Sequence, residues 1–247
     1  MSGSAQQGPS SKSTPPKLYI FPHAGASVDF YVPFSRAFSA EIKRIAVQYP
    51  RRRAWHDLPP MTSIPALADD IYKMLTASDE SGSDVALFAH SMGAMFAFEV
   101  ARRYESTGNP IAALFVSASA APSRMQYEHL PGSDRQLLDA VTDVTGLKPE
   151  FLENEQFATT ILPTLRSLRA IADYACPPGA TVSCPIYAFL GDNDEIATYE
   201  DVVAWADHTT SEFGVRVFPG GHHYINGNLR ELVKDIEAKI SHCCRAD

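Results

Sequence analysis

Two hydrophobic periods alternate along the chain. Short runs in which nearly every residue is apolar, each bounded by Pro, Gly or polar residues, read as strands covered on both faces. They fall at 17–21 (KLYIF, closed by Pro22), 44–49 (RIAVQY, closed by Pro50), 85–89, 113–117 (ALFVS), 186–190 and 215–218. Between them, apolar residues recur at helical spacing. Phe30, Tyr31, Phe34 and Phe38 form one such stripe, and Leu67, Ile71, Met74 and Leu75 form another behind a Ser63 cap and Pro65. Further helices are expected over 92–104, around 202–206, and over 229–240, where Leu232, Ile236 and Ile240 share a face. The alternation predicts an α/β fold: a mostly parallel central sheet flanked by helices on both sides.

One interval departs from the alternation. From about 121 to 181 no strand is expected, only helical pattern, with Ser133 able to cap a helix carrying Leu137, Leu138, Val141 and Val144. A helical insertion between two strands, on the side where loops leave the sheet, predicts a lid. Residues 1–16 are polar and rich in Ser, Pro and Gly, and read as a disordered leader. Residues 17–247 then form a single domain.

The chemistry gathers at strand ends. The strand VALFA runs into His90-Ser91-Met92-Gly93 and then into a helix, the strand–turn–helix context of a nucleophile elbow. The usual G-x-S-x-G pattern needs small residues two before and two after the serine. Here they are Ala89 and Gly93. A serine there sits at a helix N-terminus, where free N–H groups favour developing negative charge. The Met92 N–H can face an oxyanion. A second donor is expected from the loop after the first strand (PHAGA), at Ala24 with Gly25 in reserve. His23 and His90 are expected to be structural.

The acid and base should follow in chain order, each beyond a late strand. After IYAFL comes Gly191-Asp192-Asn193-Asp194-Glu195, and after VRVFP comes Gly220-Gly221-His222-His223-Tyr224. Spacing leaves Asp192 and Asp194 both open as the acid, and His222 and His223 both open as the base.

Composition narrows the partners. The net charge of −8 with no long basic run argues against nucleic acid, leaving Arg51-Arg52-Arg53 as a short local patch. No run approaches the roughly 18 apolar residues of a membrane span, and no signal peptide is evident, so a cytoplasmic location is expected. Cys176, Cys184, Cys243 and Cys244 lack zinc-ligand spacing and are too few for a disulfide scaffold. No metal or cofactor is expected.

With FPHAGA, AHSMGAMFAFEVA, GDND and PGGHHY in place, the chain resembles the type II thioesterases of the α/β-hydrolase fold over roughly 18–240. It looks most like the mycobacterial TesA-like thioesterases, which implies a role in making polyketide-derived lipids. Such enzymes stand alone and act in trans on modular polyketide and non-ribosomal peptide synthases. The resemblance implies Ser91 as nucleophile, Asp194 as acid, His222 as base, and the N–H groups of Met92 and Ala24 as oxyanion donors. It also implies an acyl or peptidyl carrier protein as partner, with the acyl chain on its phosphopantetheine arm. The chain departs from the family pattern at Ala89 (usually Gly), at Arg51 after Pro50 (usually Gly) and at His223 (usually an aromatic). Two other readings are an ester hydrolase using the same triad and a non-catalytic module docking on a synthase.

Overall fold

The computed structural model describes residues 15–23, 26, 28–49, 63–77, 82–125, 133, 136 and 174–244. Six strands pair throughout in parallel: β1 Lys17–Phe21, β2 Lys43–Ala46, β3 Val85–His90, β4 Ala113–Ser117, β5 Ile186–Gly191 and β6 Phe213–Phe218. Their order in the sheet is β2-β1-β3-β4-β5-β6. The described α-helices are α1 Val32–Ala37, α2 Ile64–Thr76, α3 Gly93–Ser106, α4 Tyr199–Val203 and α5 Leu229–Cys243. This is the parallel sheet flanked by helices that the alternation predicts.

Strand alternation divides the core in two. Tyr19, Phe21, Leu87, Ala89, Leu114, Val116, Ala188 and Leu190 point to one face and pack with α2 and α3. Leu18, Ile20, Ala86, Phe88, Phe115, Tyr187 and Phe189 point to the other and pack with α1 and α5. Because β3, β4 and β5 are buried along their whole length, their sequences read as unbroken apolar runs. The helices obey their local signals. Ser63 caps α2 by accepting from the Ala66 N–H at 3.2 Å, with a proline in the first turn.

Three departures from expectation have a clear local structure. The 44–49 strand closes early. Pairing ends at Ala46, Val47 still donates to the Ile20 carbonyl at 2.8 Å, and the Tyr49 hydroxyl then turns to donate to the Pro22 carbonyl at 2.7 Å. The aromatic stripe from Phe30 splits into a 3₁₀ turn, Val28–Tyr31, and the short α1. Tyr31, Phe34 and Phe38 are buried, while Phe30 stays on the surface. The stretch around 202–206 is α4 followed by a 3₁₀ segment, Ala204–His208.

Most of the expected helical insertion, like the Arg51-Arg52-Arg53 patch, lies outside the described residues. Within it, Ser133 and Gln136 form a capping box: the Gln136 N–H donates to Ser133 Oγ, and the Ser133 N–H donates to Gln136 Oε1. The two flanks of the insertion meet on one buried side chain. Ser123 Oγ lies 2.9 Å from His208 Nε2, and His208 Nδ1 lies 2.9 Å from the Ala180 carbonyl. A carbonyl can only accept, so Nδ1 carries the proton and Nε2 accepts from Ser123. The intervening chain thus leaves and rejoins the domain at one place. No described helix is long and apolar enough to cross a membrane.

Backbone presses directly on backbone where α3 meets the end of β1. A Cβ built on Gly93 would lie 2.5 Å from the Phe21 carbonyl oxygen and 2.8 Å from that of Pro22. No side chain fits there without moving main chain. Gly93→Ala is therefore expected to destabilise the fold by about 1–3 kcal/mol, an overpacking cost measurable by urea denaturation.

Candidate active site

The sheet delivers the polar residues to one edge. β3, β4, β5 and β6 all end there, and register sets His90 opposite Ser117 and Gly191 opposite Phe218. The C-terminal edge of a parallel sheet is where such folds place their sites.

Ser91 follows β3 directly and has φ of 53°, a left-handed conformation rare outside glycine. Such a conformation costs about 1–3 kcal/mol and persists only where the surroundings hold it. Here the Ser91 N–H donates to the Ser117 carbonyl at 2.7 Å and the Ser91 carbonyl accepts from Ala94 at 2.9 Å. Ala89, fully buried and paired with Phe21 and Val116, fits its methyl into the core beneath the turn. Met92 occupies the N-cap position of α3, so its N–H belongs to the helix-terminal donors that no intrahelical carbonyl satisfies. Ala24 and Gly25 lie outside the described residues. The flanking Pro22 carbonyl is the backbone that Gly93 lets α3 approach.

His222 sits between Ser91 and Asp194. Its Nε2 is 3.0 Å from Ser91 Oγ, and its Nδ1 is 3.0 and 3.1 Å from the two Asp194 carboxylate oxygens. The Asp194 side chain is fully buried. Burial works against its charge. The hydrogen bond from His222 and those from the Ile196 and Ala197 N–H groups outweigh burial and hold its pKa below the ordinary value. An ionised carboxylate only accepts, so His222 Nδ1 carries the proton and Nε2 is left to accept from the Ser91 hydroxyl. The geometry thus joins a hydroxyl, an imidazole and a carboxylate in one hydrogen-bonded line.

The other two open candidates sit elsewhere. Asp192 is exposed and accepts from the Gly220 N–H at 2.8 Å, bracing the loop that carries His222. His223 is exposed and turns toward His23, at 5.1 Å between ring centroids, and toward Phe30. Close fit binds the acid and base loops: a Cβ on Gly191 would meet the carbonyl oxygens of Gly220 and Gly221 at 2.3 and 2.5 Å.

Two further histidines complete an imidazole cluster. His90 lies 5.2 Å from His222 and 5.5 Å from His23, centroid to centroid. His23 Nδ1 is 2.8 Å from the Tyr31 hydroxyl. Burial, then the neighbouring imidazoles, push the His23 pKa down to about 4 and that of His90 well below its usual value. Both are neutral at physiological pH, in keeping with the structural roles expected of them. The buried partners of His90, Ser117 and Tyr224, were not singled out from sequence. The available signals were a serine closing an apolar strand and a tyrosine two residues beyond His222.

The thioesterase domain family matches residues 16–240. Thioesterase TesA of Mycobacterium leprae is 55% identical over 233 residues, 94% of this chain and 89% of the relative. Among solved structures, the type II thioesterase BorB from the borrelidin biosynthetic cluster is 37% identical with a TM-score of 0.75, covering 92% of this chain and 93% of that one. YbtT, a type II thioesterase from the yersiniabactin NRPS/PKS biosynthetic pathway, is 27% identical with a TM-score of 0.77, covering 95% and 96%.

Because Asp194 is held below its ordinary pKa, its ionised form is favoured by folding. That stabilisation is complete above the unfolded-state pKa, close to 3.8, and is lost as pH falls through the lower folded-state value. Thermal melts between neutral and acidic pH are expected to show a steeper acid-side loss in the wild type than in Asp194→Asn.

Proposed function

The chain belongs to the thioesterase family, and on that premise we propose that Ser91, His222 and Asp194 are its catalytic triad, acting on acyl thioesters of carrier proteins. The observation that carries this reading is His222 bridging Ser91 and the buried Asp194 through its two ring nitrogens. Fold and topology alone would not distinguish a hydrolase from a binding module.

In the first half-reaction, Ser91 Oγ attacks the thioester carbonyl carbon while His222 Nε2 takes the hydroxyl proton. Asp194 stays ionised, fixes the imidazole tautomer through Nδ1–H and stabilises the imidazolium. The carbonyl electrons move onto oxygen, where the Met92 N–H and, from the family resemblance, the Ala24 N–H receive the oxyanion. Collapse breaks the C–S bond, and the thiolate leaves with the proton from His222. In the second half-reaction His222 takes a proton from water, hydroxide adds to the acyl ester, and the Ser91 Oγ–C bond breaks as the proton returns to Oγ. A carboxylic acid and a free thiol are the products. No step calls on a metal or cofactor.

The substrate assignment rests on relatives. One structural neighbour serves a biosynthetic cluster and another an NRPS/PKS pathway. The proposed substrate is accordingly an acyl chain on the phosphopantetheine arm of an acyl or peptidyl carrier protein, met in trans and in the cytoplasm. From the family resemblance, the proposed partner is a synthase that makes polyketide-derived lipids. The helical insertion expected over about 121–181 is proposed to act as the lid over the acyl pocket.

Ser91→Ala is expected to lower kcat by roughly 10⁴ or more, by analogy with other triad serines; turnover near wild type would remove Ser91 from the mechanism. In the same assay Asp194→Asn and His222→Ala should lose most activity. Asp192→Asn keeps the oxygen that accepts from Gly220 and should retain most of it, as should His223→Ala. A reversed pattern reassigns the acid or the base. Substrate class is checked separately: carrier-bound acyl thioesters should be turned over with higher kcat/KM than matched oxygen esters, and the opposite preference marks an ester hydrolase.

A further inference from the structure

A buried polar chain outside the triad connects the Ser91 turn to the His222 loop. Ser117, the last residue of β4, is fully buried. Its carbonyl accepts the Ser91 N–H at 2.7 Å, and its hydroxyl oxygen lies 2.9 Å from His90 Nδ1 and 2.7 Å from the Tyr224 hydroxyl. His90 and Tyr224 are themselves buried. His90 directly precedes Ser91, and Tyr224 stands two residues after His222. One side chain therefore touches the residue next to the nucleophile and a residue on the turn of the base.

The direction of the chain follows from counting donors and acceptors. Ser117 is the one described hydrogen-bond partner of the Tyr224 hydroxyl, so donation to Ser117 is what satisfies the phenol proton. Ser117 then donates to His90 Nδ1, which leaves the His90 proton on Nε2. That nitrogen is buried without a hydrogen-bond partner among the described residues. The opposite direction would leave two groups unsatisfied, the tyrosine proton and the Nε2 lone pair.

Strain shows what the chain holds in place. Ser91 and Ala118 are the two non-glycine residues with positive φ among the described residues, at 53° and 49°. Ala118 follows Ser117 directly and donates to the Phe189 carbonyl at 2.8 Å. Ser117 is thus hydrogen-bonded to one strained residue and covalently joined to the other. Strained backbone persists where several contacts over-determine it, and Ser117 supplies contacts from both its main chain and its side chain.

We propose that Ser117 is a positioning residue, whose carbonyl and hydroxyl together hold the Ser91 turn in register with the His222 loop. The proposal rests on the triad reading above. The Ser117 hydroxyl touches neither Ser91 Oγ nor the His222 ring. Its loss acts through the placement of those groups, not through substrate affinity.

The test is steady-state kinetics on Ser117→Ala, Tyr224→Phe and the double variant, with Ser91→Ala alongside. Each single variant is expected to lower kcat roughly tenfold or more while KM stays within about twofold, the signature of displaced reacting groups. The double variant should be no slower than the slower single one, because both changes cut the same chain. Isotope-edited NMR of the ring nitrogens should show His90 locked as the Nε2–H tautomer in the wild type and released in Ser117→Ala. A purely structural role would lower Tm without moving kcat or the tautomer. Wild-type kcat in both single variants, or strictly additive losses, would overturn the proposal. If Ser91→Ala keeps its turnover, the triad reading fails instead. Should Ser117→Ala not fold, Tyr224→Phe carries the test, since its ring keeps its stacking on Phe218 at 5.3 Å.

Discussion

Backbone pressed against backbone is the constraint on which the site depends. Gly93 brings α3 onto the carbonyls of Phe21 and Pro22, and Gly191 brings the end of β5 onto those of Gly220 and Gly221. Between these two contacts the Ser91 N–H is held by the Ser117 carbonyl. The chain beyond the ends of β1, β3, β5 and β6 is thereby packed main chain against main chain. A hydroxyl, an imidazole and a carboxylate meet because their main chains leave them nowhere else to be. The left-handed turn at Ser91 is the local cost of that arrangement, and the parallel sheet beneath it is what makes the cost sustainable.

Electrostatics complements the packing. Four imidazoles crowd one corner, yet the carboxylate of Asp194 contacts His222 alone among them. Burial keeps His23 and His90 neutral, so neither adds a positive charge beside the His222 ring. His223 is also shifted toward neutrality, first by partial burial and then by His222. Of the four rings, His222 is the one that hydrogen-bonds the buried carboxylate.

Strand ends and polar loops were legible in the sequence because they follow simple rules. Central strands covered on both faces must be apolar throughout, and residues ending such a strand lie at the sheet's edge. VALFA, ALFVS and IYAFL announced themselves in this way, and Ser91 and the two carboxylate–histidine loops followed from them. Spacing could not choose between Asp192 and Asp194, because both fit the same loop. Their difference is a matter of direction: one faces the Gly220 N–H from the surface, the other is buried under His222. Ser117 and Tyr224 stayed hidden for a related reason. A serine ending a strand and a tyrosine near a histidine are common, and only the assembled sheet, with β4 beside β3 and the loop after β6 folded over it, brings Ser117 to His90 and Tyr224. The early end of β2 arises from Tyr49 turning to the Pro22 carbonyl, a contact across 27 residues that no local pattern encodes.

The joining of distant strand ends also bears on how the protein reaches its native state. Ser91 and His222 are 131 positions apart in the chain, and Ser117 and Tyr224 are 107 apart. Every strand pairing is parallel and so requires a crossover before any ladder closes. Such non-local topologies fold slowly, and their last contacts form only when the whole sheet is assembled. The Ser91–His222–Asp194 arrangement therefore requires β6 and the loop beyond it to be docked on β5. A chain with its first four strands in place has Ser91 but neither Asp194 nor His222 beside it, and the cluster is whole only once the C-terminal third arrives.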